Sequence, residues 1–150
     1  MPSTKQKNVD GIASRDEMKT VIVTAALIIE QGKILVTQRK KDSSHGLLWE
    51  FPGGKVKEGE EPRDALRREL KEELDVEVEV GMIFDAVFYS YPEYPILLLV
   101  YRCRIEKGSL KPIGCHDLRW VNLRELEKLA MPPADDPIRK HLGSFEEGFL

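Results

Sequence analysis

Short apolar runs separated by polar turns dominate the chain and predict a protein built mainly from strands. Residues 20–30 are rich in β-branched and aliphatic side chains, which predicts a largely buried strand. Gln31-Gly32 supplies a turn, and residues 33–39 (KILVTQR) predict the returning strand of a hairpin. Further strands are predicted at residues 47–51, 76–80, 81–89, 95–105 and 118–123.

One segment has helical periodicity instead. Its apolar residues recur every three or four positions: Ala65, Leu66, Leu70 and Leu74. This spacing predicts an amphipathic helix, and it is expected to begin near Pro62 because proline is favoured in the first helical turn. Shorter helices are predicted at residues 124–129 and 138–142. With strands outnumbering helices, the predicted fold class is α/β, an α/β/α sandwich around a central mixed sheet.

Composition limits the classes of partner. The length of 150 residues suits a single domain, predicted at residues 18–143, with a flexible N-terminal arm at 1–17 and a loose C-terminal tail at 144–150. A net charge of -3 gives no basic field for a polynucleotide. No apolar run approaches the roughly 18 residues that a membrane span needs. The polar N-terminus and two cysteines without metal spacing, Cys103 and Cys115, predict a cytoplasmic protein with free thiols.

The central helix carries three acids close together. Glu69, Glu72 and Glu73 project within roughly a 100° arc at helical geometry. One interpretation is an ordinary solvated helix face, in which neighbouring arginine and lysine residues pair with the acids. The other is a metal site, because a cluster of oxygen ligands suits hard cations such as magnesium or manganese.

The spacing around these acids is more specific than the acids alone. Gly54, Glu60 and residues 68–76 (RELKEELDV) follow the Nudix box, G-x5-E-x7-R-E-U-x-E-E-x-G-U with U aliphatic, at eight of its nine specified positions. The chain therefore resembles the Nudix hydrolase family. LLWEFPGGK and PPADDP resemble its MutT-like branch, which includes 8-oxo-dGTP diphosphatases and CTP pyrophosphohydrolases. The resemblance covers roughly residues 19–142.

This resemblance implies an enzyme that hydrolyses a nucleoside triphosphate, normal or oxidised, to monophosphate and pyrophosphate. It implies that Glu69, Glu72 and Glu73 are catalytic and bind the metal, joined by the Gly53 carbonyl. The expected ion is Mg²⁺, for which Mn²⁺ could substitute, and Glu69 is the expected general base or orients the attacking water. The expected partner is a small nucleotide, and the protein is expected to be a monomer or a homodimer.

Three residues outside the box are implied in substrate binding. Arg39 matches a position that contacts substrate phosphate or ribose, and Phe51 matches an aromatic residue of the base pocket. Asp135 stands where the MutT type has an asparagine that reads the base edge. An ionised carboxylate only accepts hydrogen bonds and suits the amine of cytosine or adenine, whereas a protonated one also donates and suits guanine-type faces. The plainer alternatives are a surface arginine, a core phenylalanine and an aspartate that caps the short helix near Pro137.

The match to the family has two departures. Asp75 replaces the last glycine of the box, where left-handed geometry is expected at a cost of about 1 kcal/mol. A further glutamate of many relatives falls on Gly114, so either His116 or Asp117 substitutes or the metal site has one fewer side-chain ligand. The box arginine and first glutamate, Arg68 and Glu60, are expected to hold loop and helix in register.

Two other functions stay open at the level of sequence. The chain could be a Nudix hydrolase of another nucleoside diphosphate derivative, such as ADP-ribose. It could also be a catalytically silent module that binds nucleotide, although such a module would be expected to lose box glutamates and this chain keeps them.

Overall fold

The computed structural model describes residues 18–145, in which four strands precede the first helix and three more precede the remaining helices. The strands are β1 (Val21–Glu30), β2 (Lys33–Gln38), β3 (Trp49–Glu50), β4 (Gly53–Lys55), β5 (Glu77–Ser90), β6 (Pro95–Lys107) and β7 (Asp117–Val121). The helices are α1 (Pro62–Leu74), α2 (Leu123–Lys128) and α3 (Asp136–Gly143), with a 3₁₀ helix at Pro133–Asp135 that runs into α3. The predicted N-terminal arm and residues 146–150 of the predicted tail lie outside the described residues.

The strands form a mixed sheet, as predicted. Its main path runs β3-β2-β1-β6-β5, while β4 pairs with β1 and β7 pairs with β2. β1 and β6 are parallel, and the other pairings among the described strands are antiparallel. Because β1 lies at the centre, the glycine-rich strand β4 is held directly beside buried backbone.

Each face of the sheet is covered by a helical layer. One core cluster joins α1 to the sheet through Ala26, Ile28, Leu66, Leu70, Leu74 and Tyr101. The other joins α2 and α3 to the opposite face through Ala25, Leu27, Val100, Leu126, Ile138 and Leu142. Alternate residues of β1 contribute to the two clusters, as the period of two requires. The predicted α/β/α class is therefore confirmed.

Helix α1 has the predicted termini. Pro62 is its first residue, and Glu61 precedes it without a side-chain capping bond. Asp75 ends the helix in the left-handed region, at φ 58° and ψ 37°, and its N–H donates to the Lys71 carbonyl. The aspartate that replaces the box glycine therefore has the backbone geometry that glycine would provide at lower cost.

The prediction of two separate strands at 76–80 and 81–89 is wrong. β5 is continuous, but its register against β6 shifts between Val80 and Ile83 and again between Ile83 and Asp85. These β-bulges leave extra residues on β5 and interrupt the alternation of its side chains, which is why the sequence pattern breaks there.

Two further boundaries differ from the prediction. The glycine pair forms strand β4, which low glycine propensity had concealed. The last strand ends at Val121 rather than at residue 123, because Asn122 caps α2 in a reciprocal capping box with Glu125. Within residues 18–145 no helix is long and apolar enough to cross a membrane, and the cytoplasmic location stays a prediction.

Candidate active site

The glycine pair brings the backbone of β4 against the first acid of α1. A Cβ atom built on Gly54 would lie 2.4 Å from the Glu69 carboxyl carbon and 2.6 and 2.7 Å from its two oxygens. One built on Gly53 would lie 2.0 Å from the Thr24 carbonyl oxygen. Neither position has room for a side chain, so the glycines place main-chain atoms next to the Glu69 carboxylate.

Arg68 fixes that carboxylate from the other side. Its Nε and Nη2 each lie 2.9 Å from one oxygen of Glu60, and its Nη1 lies 2.9 Å from Glu69 Oε1. The same guanidinium donates to the Lys55 carbonyl at 3.1 Å, and Glu60 accepts the Lys57 N–H. These hydrogen bonds lower the pKa of Glu60 to about 2. The predicted role of Glu60 and Arg68 in joining the loop to the helix is therefore present.

The acids of α1 differ in environment. Glu72 is exposed and lies 3.3 Å from the Arg68 guanidinium. Burial raises the pKa of Glu69, and the adjacent Arg68 opposes that rise. Burial raises the pKa of Glu73 to about 9, with the negative charges of Glu50 and Glu69 acting in the same direction. The interpretation as a plain solvated face fits Glu72 and does not fit the other two.

This donor set fits a hard divalent cation. Carboxylates crowded into a partly desolvated site repel one another, and a bound cation would relieve both the repulsion and the desolvation. No group of three His, Cys, Asp or Glu side chains between residues 18 and 145 is arranged to hold a metal ion as it stands. Glu69 and Glu73, together with the exposed Glu72, are the residues that could bind one.

A cleft of about 580 Å³ opens beside the glycine pair. Gly53 and Gly54 line it together with Arg39, Phe51 and Asp135. The structure thus brings the three predicted substrate residues, which lie far apart in sequence, into one cavity next to the acidic helix.

Arg39 is held in place by short contacts inside this cleft. Its Nε donates to the Ser44 carbonyl at 2.6 Å, and its Nη1 lies 3.3 Å from both carboxylate oxygens of Glu50. Its side chain is one-third exposed, so part of the guanidinium remains available to a ligand. An arginine that only decorated the surface would not have this fixed geometry.

Glu50 is the cleft residue that the sequence reasoning missed. Burial raises its pKa, and its charge in turn raises the pKa of Glu73 and of Asp135. The available signal was an acid between two large aromatic residues, Trp49 and Phe51, in a short strand. Because strand side chains alternate, that pattern turns the acid away from the core and towards a cavity.

Phe51 combines both roles considered for it. It is 3% exposed and packs in the core cluster beneath α2 and α3, yet it also lines the cleft. Its ring therefore offers a rigid apolar wall that the core holds in position.

Asp135 is buried without a partner for its carboxyl group. It is 6% exposed, lines the cleft, and makes no side-chain hydrogen bond among the described residues. Burial and the charge of Glu50 raise its pKa to about 8, against the opposing charge of Arg139. It precedes α3 but forms no side-chain cap, so the capping interpretation is wrong.

The aromatic connection between β5 and β6 also lines the cleft, through Tyr91 and Tyr94. The Tyr91 hydroxyl accepts the Ala134 N–H at 3.2 Å, and the Tyr91 ring lies 4.6 Å from Tyr89 and 5.6 Å from His45. The Lys55 ammonium lies 5.0 Å from the Tyr94 ring centroid. The β5–β6 connection is thereby tied to the 3₁₀ helix that carries Asp135.

The loop before β7 supplies no clear replacement acid. A Cβ on Gly114 would lie 2.8 Å from the Glu73 Cα, so this position has no room for a side chain. The side chains of His116 and Asp117 are exposed, and Asp117 accepts the Leu118 N–H. Cys115 is buried instead, and burial together with the charges of Glu73, Asp117 and Glu50 raises its thiol pKa to about 11.

A mixed sheet between helical layers, with a glycine turn pressed against an acidic helix, defines the Nudix class of domain. A family model described as the NUDIX domain matches residues 24–141, and the chain belongs to that family, as the box predicted.

Relatives and solved structures agree over nearly their whole length. The chain is 37% identical over 121 residues to the CTP pyrophosphohydrolase of Escherichia coli strain K12, covering 81% of this chain and 90% of that protein. It is 31% identical over 124 residues to the 8-oxo-dGTP diphosphatase of the same organism, covering 81% and 95%. The solution structure of the Escherichia coli ORF135 protein superposes with a TM-score of 0.76 at 35% identity, covering 86% of this chain and 92% of that chain. A MutT protein of Methanosarcina mazei Go1 gives 0.74 at 25% identity, covering 85% and 93%.

Proposed function

We propose that this protein hydrolyses a nucleoside triphosphate, normal or oxidised, to the monophosphate and pyrophosphate. The observation that carries the proposal is the cleft that Asp135, buried with no hydrogen-bond partner among the described residues, lines together with Gly54, whose backbone lies against Glu69 of the acidic helix. The names of the relatives, CTP pyrophosphohydrolase and 8-oxo-dGTP diphosphatase, support the same reaction class.

Glu69, Glu72, Glu73 and the Gly53 carbonyl would hold the divalent ion, Mg²⁺ or Mn²⁺ in its place. When bound, the ion supplies charge neutralisation on the phosphate oxygens and acidifies a water molecule. Glu69 would orient that water or take its proton. Its carboxylate suits this role because Arg68 and the Gly54 backbone fix it from two sides.

Arg39 would bind the phosphate chain or the ribose. A guanidinium suits phosphate because its planar donors match two oxygens at once. Glu50 holds Nη1 of Arg39, and the Ser44 carbonyl holds Nε, which leaves Nη2 as the donor that would face a ligand. The arginine side chain is therefore already ordered before substrate binds, so binding costs less conformational entropy.

Asp135 would read the base. With a pKa of about 8, it is protonated at neutral pH and offers one donor and one acceptor. Cytosine presents an acceptor nitrogen beside its amine, and guanine presents a carbonyl beside a ring N–H, so a neutral carboxyl group pairs with either edge at two points. An ionised Asp135 would keep the bond from the cytosine amine and lose the bond to the cytosine ring nitrogen, whereas it would still accept from the ring N–H of guanine.

A nucleotide panel tests this function. Purified protein with Mg²⁺ is incubated with normal and oxidised nucleoside triphosphates, ADP-ribose and a dinucleoside polyphosphate, and pyrophosphate and monophosphate are quantified. Pyrophosphate release from a cytosine or guanine-type triphosphate is expected. Turnover of ADP-ribose without turnover of any triphosphate would overturn the substrate class, and magnesium binding without hydrolysis of any compound would overturn the enzyme.

A further inference from the structure

The bulged part of β5 points two consecutive side chains at α3. Ile83 faces Tyr101 and Asp85 faces Val100 across the sheet, so Phe84 is an extra residue without a partner on β6. In an unbroken strand, Phe84 and Asp85 would face opposite sides. Here both contact His141, so the bulge acts as a docking point for the helix.

His141 is gripped on three sides. Its ring stacks on Phe84 with the centroids 4.2 Å apart and an interplanar angle of 23°, and Phe145 stacks at 5.5 Å. Its Nδ1 lies 3.1 Å from Asp85 Oδ2. The contact with Asp85 fixes the orientation of the imidazole ring, and the stacking fixes its distance from β5. Together they fix where this end of α3 lies on the sheet.

Asp135 immediately precedes the first residue of the same helix. The Asp135 carboxyl has no hydrogen-bond partner among the described residues, so no polar contact of its own side chain orients it. Its position therefore depends on the backbone of the 3₁₀ helix and α3. Ile138 and Leu142 bury apolar surface, but apolar contacts are non-directional and leave sliding and rotation poorly determined.

The position of α3 on the sheet therefore depends on its directional contacts. Arg139 donates to the Leu126 and Leu129 carbonyls at 3.1 and 2.9 Å, which ties the helix to the end of α2. His141 ties it to β5 on the other side. A rigid α-helix of eight residues transmits a shift at one end to the other, because its hydrogen-bonded backbone does not bend locally.

We propose that His141 is a positioning residue, which, through Phe84 and Asp85, fixes α3 so that Asp135 meets the nucleobase in the cleft. This rests on the proposed function, in which Asp135 reads the base. The residue lies on the opposite layer from α1, so its loss should change binding and base preference and leave the hydrolytic step intact.

The test compares variants that separate ring from hydrogen bond. His141→Phe keeps the stack and loses the contact with Asp85, and His141→Leu loses both. Asp85→Ala removes the partner, whereas Asp85→Asn keeps a hydrogen-bonding side chain and should restore most of the wild-type behaviour. Lys140→Leu, an exposed neighbour on the same helix, is the matched control.

For His141→Phe we expect KM for the preferred triphosphate to rise about 3- to 10-fold with kcat within about 2-fold, since misplacement of a binding group weakens ground-state and transition-state binding alike. The ratio of kcat/KM between the best and poorest bases should shrink by a similar factor, and His141→Leu should show more. Unchanged KM and unchanged base preference in both variants would overturn the proposal, as would a fall in kcat that is equal for all bases.

A second readout needs no turnover. Amide NMR spectra of the free protein should show shifts at residues 134–136 in His141→Phe and none there in Lys140→Leu. Unmoved amides there would overturn the positioning role even if every triphosphate proved inert. Inactive wild-type protein with shifted amides would instead reject the proposed function and support the structural link.

Discussion

Two parts of the candidate site, the acidic end at α1 and the Asp135 end, are built in opposite ways. At the acidic end, one guanidinium bridges Glu60, Glu69 and Glu72, and the backbone of Gly54 lies against Glu69. At the Asp135 end, the carboxyl group is buried with no hydrogen bond among the described residues. The first end is fixed by side-chain contacts within 24 consecutive residues, 53–76. The second is fixed by the packing of distant segments, so it is the end that can change specificity without disturbing the hydrolytic step.

The largest expected effect is at the acidic end. Glu69→Gln keeps the shape and the contact with Arg68 but removes the charge, so kcat should fall at least about 100-fold. Pyrophosphate release measures the rate, and circular dichroism with thermal unfolding confirms the fold. Glu58→Gln, an exposed acid of the preceding loop, is the control and should retain the wild-type rate. A rate within twofold of wild type for Glu69→Gln would remove this carboxylate from the mechanism.

A pH series is expected to have an intermediate effect at the Asp135 end. As pH rises through about 8, Asp135 ionises and can no longer donate to the cytosine ring nitrogen, so KM for a cytosine triphosphate should rise about 10-fold by pH 9.5. The raised pKa of Glu73 lies in the same range, so the wild type is compared with Asp135→Asn at each pH. The amide stays neutral, so KM of the variant should rise less than KM of the wild type over this range, and the difference is the contribution of Asp135. Parallel curves would show that Asp135 does not pair with the base.

The same substitution separates binding from stability. Folded Asp135 keeps its proton up to about pH 8, whereas an unfolded aspartate releases it near 3.8. The folded state therefore binds more protons between these values, and its free energy of unfolding from this group falls as pH rises from about 4 to 8. The free energy of unfolding of Asp135→Asn, measured in urea, should rise relative to that of the wild type as pH increases from about 4 to 8. This is the pattern expected of a residue kept for ligand binding at the expense of stability.

The acidic end could be predicted from the sequence more fully than the Asp135 end. The spacing of the apolar residues predicted α1, and the preference of proline for the first helical turn predicted its start at Pro62, because both signals are local. The role of Arg68 and Glu60 in joining loop and helix came from the resemblance to the Nudix family. Arg39, Phe51 and Asp135 were found through resemblance and do share one cleft. Their grouping depends on tertiary packing, which no local spacing expresses.

Glu50 and the bulge at Phe84 were missed for a related reason. The importance of Glu50 comes from its contact with Arg39 and from its effect on the pKa values of Glu73 and Asp135. Those three residues lie in other parts of the chain. The bulge depends on the register of β5 against β6, which a one-residue insertion shifts without a change of composition. Both features need the assembled sheet before their chemistry becomes visible.

The smallest expected effect falls at the last residue of the box. Asp75 occupies the left-handed region, so Asp75→Gly removes about 1 kcal/mol of backbone strain. It also removes the exposed ion pairs with Lys71 Nζ at 2.9 Å and Lys111 Nζ at 3.7 Å, which contribute little because water screens them. The net gain in free energy of unfolding should therefore be positive and below about 1 kcal/mol, with kcat unchanged. Asp75→Asn is the control, because asparagine tolerates the same backbone geometry and loses only the charge, so it should be slightly less stable than wild type. A lower free energy of unfolding for Asp75→Gly would contradict this expectation. It would mean that the ion pairs with Lys71 and Lys111 outweigh the backbone strain, and that Asp75, like Arg68, stabilises the acidic end through its charge.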